Sequence, residues 1–295
     1  MSTLKRGQPL GFTLAELAVA IALLGIVAAG IHRIVVSGQR VYRVQAERMD
    51  LQQTLRVAAH LLPAELRELD ATDGDILGMG SDSIRFRAMR QLAFLCAGAS
   101  LAPSIPATRV VTATLTIARD PRFGLRDGDP ATDSLLVYDP GADAWLVGSI
   151  ISAKDASCGP PDRVPPPRAA RLVQARLTLR PGSGDGTSTL PEGSPVRWFE
   201  PVTYLLYQAS DGRHYIGQRS GGDLQPVIGP LTPRGFELRY FDAAGDVTPD
   251  PRRVAAIEIR VRGRSTQPVR ASTGGLTRLT DSLVTRVALR GTPQP

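Results

Sequence analysis

The chain has 295 residues, 42% of them hydrophobic, which excludes disorder throughout and leaves room for one large domain or two modest ones. Its formal charge of +7 rests almost wholly on arginine, since Lys5 and Lys154 are the only lysines, a bias that reflects base composition as much as function. The two cysteines, Cys96 and Cys158, are too few for a disulfide-dense scaffold, and without a C-x-x-C pair they argue against a zinc or redox centre.

Near the N-terminus, Lys5 and Arg6 precede Gly11-Phe12-Thr13-Leu14-Ala15-Glu16, and a nearly uncharged run continues from Leu17 to Ile31. From Phe12 to Ile31 a helix rising about 1.5 Å per residue spans roughly 30 Å, one bilayer core. His32 and Arg33 mark the far interface. By the positive-inside rule Lys5 and Arg6 stay cytoplasmic and the remaining chain crosses the membrane. A secretory signal places its small-residue cleavage site after the apolar run. Here the small residue, Gly11, comes before it, so cutting there keeps the hydrophobic segment. Glu16 sharpens the pattern, because a carboxylate among lipid-facing residues is costly and calls for a partner.

This ordered set resembles the leader of type IV prepilins and type II secretion pseudopilins. The resemblance implies that a prepilin peptidase cuts between Gly11 and Phe12 and N-methylates Phe12. It also implies an assembly role for Glu16, paired with the free amine of Phe12 on a neighbouring subunit. Two charges in an apolar bundle are tolerable as a pair. That amine lies only four residues from Glu16 in its own helix, so pairing within one chain competes.

Beyond the span, Val41, Val44, Leu51, Leu55, Ala58, Leu62, Leu66 and Leu69 recur at helical spacing, with Arg43, Glu47, Arg56 and Glu65 on other faces. One helix is predicted from about Thr13 to about Leu69, with a kink or an end near Leu62 because Pro63 follows. The chain thus divides into a leader (1–11), a membrane and assembly helix (12–36), its amphipathic continuation (37–69) and a β-rich head (70–295).

In the head the period changes to two: Ile84, Phe86 and Ala88 alternate with Ser83, Arg85 and Arg87. Further strands are predicted over Arg109–Ala118, Ser134–Tyr138, Ala144–Ile151, Arg171–Leu179, Gly235–Phe241, Val254–Arg262 and Asp281–Arg290. Val202–Tyr207 and Arg213–Gly217 flank Ala209-Ser-Asp-Gly212 as a hairpin. Pro/Gly-rich Cys158–Pro167 and Pro181–Pro195 read as exposed loops. Cys96 and Cys158 fall on the exported side, where they either form a disulfide or stand as separate buried thiols.

The fold class is therefore α+β, a long N-terminal helix packed on an antiparallel sheet, as the pilin resemblance also implies. Within that family the chain is most similar to PilW-like minor pilins, with J-type minor pseudopilins next. The residues that carry this are Asp50–Arg56, Tyr204 and Tyr207, and Arg253–Arg260.

No catalytic constellation is legible: His32, His60 and His214 are scattered, and no HExxH, GxSxG, P-loop or GxGxxG appears. Asp70/Asp73/Asp75 and Asp127/Asp129/Asp133 offer oxygen ligands, but neither fits a twelve-residue calcium loop, and aspartate with glycine also favours turns. Arg252, Arg253, Arg260, Arg262 and Arg264 form either a solvated strand face or a basic stripe for DNA phosphates. The reading is a non-enzymatic subunit with no cofactor and no metal. Its partners are prepilin peptidase, minor and major pilins, and the inner membrane, with the head in the periplasm and later on a pilus. A pseudopilin of type II secretion and a DNA-binding pilin for uptake are the alternatives.

Overall fold

The computed structural model describes residues 13–102, 109–120, 123–124, 126–159, 168–179, 188–270 and 275–290. They fall into two compact units, residues 1–52 with 265–279, and residues 53–264 with 280–295. Helix α1 (Leu14–Arg67, 54 residues) begins in the first unit and ends in the second. In the first unit every helical residue from Leu14 to Ile34 is exposed, with Leu14 at 86% and Ile34 at 73%. This helix is long and apolar enough to cross a membrane.

In the second unit the helix buries a stripe. Leu55, Ala58, Leu62, Leu66 and Leu69 recur at steps of three and four and pack with Phe86, Tyr204, Phe236 and Ile257. The helix does not end near Leu62 but runs through Pro63 to Arg67. Leu62 and Leu66 lie on one stripe and are each only 1% exposed, so packing carries the helix past the N–H that Pro63 lacks. Its end is tied from elsewhere: the Arg290 N–H reaches the last helical carbonyl, Arg67 O (3.2 Å), and Leu69 O just beyond the helix (3.0 Å).

Sixteen strands follow among the described residues. The first are β1 (Ile76–Met79), β2 (Ser83–Phe94), β3 (Ala99–Leu101), β4 (Val110–Ala118) and β5 (Phe123–Gly124). Next come β6 (Ser134–Asp139), β7 (Ala144–Cys158), β8 (Arg168–Thr178) and β9 (Ser188–Leu190). The C-terminal set is β10 (Pro195–Gln208), β11 (His214–Ser220), β12 (Asp223–Phe241), β13 (Ala256–Arg264), β14 (Val269–Arg270), β15 (Leu276–Thr277) and β16 (Thr280–Ala288). Twelve of them form one antiparallel sheet in the order β16-β13-β12-β11-β10-β6-β7-β8-β4, with β2 on β10 and β1 and β5 on β2. The small β14–β15 ladder belongs to the first unit, where Ser265 N–H donates to Leu279 O at 2.8 Å.

Strand β10 organises the head. Its first half pairs with β6 (Val196↔Val137), its second with β11 (Tyr204↔Gln218), while β2 runs along it from Phe94 to Ser83. Two cores result. One holds the helix stripe with Ile84, Phe86, Val202, Tyr204 and residues of β11–β13; the other gathers Ala93, Leu115, Leu135, Val173, Leu177, Val196 and Trp198. Between them the β2–β10 register slips at Trp198/Phe199, leaving Arg90 unopposed as a bulge. The slip moves the buried positions of β2 from Ile84, Phe86 and Ala88 to Gln91 and Ala93, a phase that Leu95 just beyond the strand continues.

Each predicted strand has a counterpart, and the predicted hairpin is β10–β11 with Tyr207 opposite Tyr215. The segment 181–195 is not purely an exposed loop: Ser188–Leu190 pairs with Leu101–Ala99, and Leu190 is fully buried in the second core. Residues 160–167, the bulk of the other predicted loop, lie outside the described residues.

Candidate functional site

Gly11 and Phe12, the predicted cleavage pair, lie outside the described residues. Glu16 is described, in the first turn of α1. Its Oε2 accepts the Thr13 backbone N–H at 3.0 Å and the Thr13 hydroxyl at 3.2 Å, while Glu16 N–H donates to Thr13 Oγ1 at 3.2 Å. That reciprocity is a capping box: each side chain satisfies a backbone donor that the helix start leaves without a partner. Thr13 thereby caps the helix, which begins at Leu14. The signal was present as Thr-x-x-Glu, Thr13 to Glu16, directly before an apolar run. Sequence reasoning assigned Glu16 a charge partner and overlooked this neutral one. The arrangement aims the Glu16 carboxylate back toward the chain start, where cleavage after Gly11 would create a cationic amine.

Cys96 and Cys158 are joined as a disulfide, with Cα atoms 5.5 Å apart and a sequence separation of 62. Cys96 follows β2, its N–H donating to Thr116 O on β4 at 2.9 Å, and Cys158 ends β7. The bridge therefore ties three strands that meet around the second core.

The acidic clusters act as turns and arginine partners. Asp70 Oδ1 accepts Thr72 N–H (2.9 Å), and Asp75 Oδ2 accepts Asp70 N–H (2.9 Å). Arg197 reaches Asp73 at 3.2 Å and stacks over Trp145, and Arg87 stands 3.9 Å from Asp75 and over the Phe199 ring. Burial pushes the Asp75 carboxyl above its ordinary value, against the Asp70 N–H and the two arginines. Burial also lowers Arg87. In the second cluster Asp133, whose side chain is 0% exposed, takes both Arg126 amines at 2.7 Å and Asp129 N–H at 2.7 Å. Among the described residues no three His, Cys, Asp or Glu side chains converge to hold a metal.

The arginine stripe is interleaved with carboxylates. Arg260 and Arg262 share Glu237 at 3.6 and 3.4 Å, and Arg253 pairs with Asp242 at 2.9 Å. The three histidines stay apart, His32 and His60 exposed on α1 and His214 half-buried on β11. No protein-family model, curated protein or solved structure matches this chain.

Proposed function

We propose that the chain is a minor pilin of a type IV pilus, an assembly subunit rather than an enzyme, which primes or caps the filament after a prepilin peptidase removes residues 1–11. The observation that carries this reading is the sequence Gly11-Phe12-Thr13-Leu14-Ala15-Glu16 set directly against a helix whose first residues, from Leu14 to Ile34, are nearly all apolar and exposed. A helical segment of this length whose large apolar side chains are exposed needs lipid or other helices around it. In the inner membrane it anchors the head on the periplasmic side; in the filament, minor and major pilins replace the lipid. Glu16 then exchanges part of its capping box for the methylated amine of Phe12 on a neighbour, which sets register between subunits.

Replacing Glu16 by Ala tests the assembly step. Membrane insertion and cleavage should survive, because removing a carboxylate lowers the insertion cost, which is at most about 3 kcal/mol this close to the helix end. Co-purification of partner pilins, compared with wild type at equal expression, should fall. Unchanged recovery would remove Glu16 from the assembly contact.

A further inference from the structure

We propose that the outer face of β2, β10 and β11 binds a phosphate-bearing polar molecule of sugar size. Thr203 on β10 stands directly opposite Arg85 on β2 and directly opposite Arg219 on β11. Residues opposite one another share a face. The neighbouring positions Phe86, Val202, Tyr204 and Ile216 are buried in the first core, so Arg85, Thr203 and Arg219 project away from it. Two guanidiniums thus flank one hydroxyl, on strands about 10 Å apart across the middle one. Thr132, Pro201 and the Gly221–Gly222 turn complete a cavity of about 490 Å³.

The lining contains no carboxylate. Arg85 and Arg219 have no ion-pair partner among the described residues, whereas Arg260 and Arg262 on the same sheet share Glu237. Two cations left side by side repel, and a bound dianion relieves that while accepting the paired N–H groups of each fork. The remaining walls say what the anion is attached to. No aromatic side chain lines the cavity, so a nucleobase has nothing to stack on, and Pro201 alone cannot hold an acyl chain. Two threonine hydroxyls suit a hydroxylated group, and the volume falls within the range of small-molecule sites. The wall near Thr132 is preset: Asp133 fastens the turn through Asp129 N–H at 2.7 Å. The rim is a two-residue turn with φ of +59° at Gly221 and +106° at Gly222, where side chains are disfavoured and a Cβ would meet nothing within 4 Å.

The test is calorimetric titration of the full chain in detergent with glucose 6-phosphate, inorganic phosphate and glucose at matched ionic strength. Glucose 6-phosphate should bind, inorganic phosphate more weakly, and glucose not at all. Arg85→Gln and Arg219→Gln should each weaken binding about tenfold or more, the scale of one charge-assisted contact. Arg239→Gln, an exposed arginine on β12, should leave it unchanged, and unaltered thermal unfolding of each variant excludes misfolding. Absence of heat with both phosphate probes overturns the site. Equal loss from Arg239→Gln reduces it to diffuse charge and also overturns it. Equal affinity for the bare ion and the sugar phosphate refutes the sugar-sized ligand.

Discussion

Asp75 shows how a single carboxylate can be held in place and still oppose folding. Its side chain accepts the Asp70 N–H that closes the turn after α1, yet it is 8% exposed and Arg87 stands off at 3.9 Å. Burial raises the folded value above the unfolded one, so the folded head binds the proton more tightly. The site's favourable contribution is complete below the unfolded value near about 3.9 and is lost as pH rises through the raised folded value. Asp75→Asn keeps the acceptor and cannot ionise. In urea titrations it should match or exceed wild type at pH about 7, with the gap closing toward pH about 4. A variant that instead weakens as pH rises would mean that Arg87 and Arg197 outweigh burial. None of this was legible beforehand: three aspartates in six residues read equally as a turn or as ligands, and only the fold brings Arg87 and Arg197 to them.

At the scale of elements, the second half of α1 supplies the helix stripe of the first core. Leu66→Ala, at a position 1% exposed, should cost about 2–5 kcal/mol of head stability. Val41→Ala, at a position 55% exposed, should stay within about 0.5 kcal/mol. Equal effects in urea titrations would break the assigned division of the helix. The disulfide acts on the other core. Closing a loop with a sequence separation of 62, it should contribute about 4 kcal/mol through the unfolded chain. Reduction should lower the unfolding midpoint accordingly, while two free thiols in denatured, unreduced protein would contradict the bridge. The 3.6-residue stripe and the alternation of Ile84, Phe86 and Ala88 were readable because one face of each element is buried. The length of β12 was not, since Pro226, Pro230 and Pro233 argue against a strand, and the ladder tolerates the first only because its register shifts there. The Arg90 bulge was hidden too. A buried arginine is legible only once Glu65 and Glu200, at 3.4 and 2.9 Å, are seen to meet it.

For the whole molecule, one long apolar N-terminal helix and a large antiparallel sheet give an α+β layout, while the proposed function rests on the first sixteen residues. On the proposed reading, Lys5 and Arg6 on one side of Gly11 and the exposed span on the other mark a chain to be trimmed at the membrane rather than released from it. The capping box between Thr13 and Glu16 sets the start of the helix at Leu14, close in sequence to the proposed cut. The proposed trimming would also remove two cations, Lys5 and Arg6, and change the formal charge from +7 to +5. The measurement that tests this most directly is N-terminal mass spectrometry of the protein recovered from membranes of cells with an active prepilin peptidase. The predicted N-terminus is Phe12 carrying one added methyl group, with Gly11→Val retaining residues 1–11. Wild-type protein that still begins at Met1 or Ser2 would contradict the account.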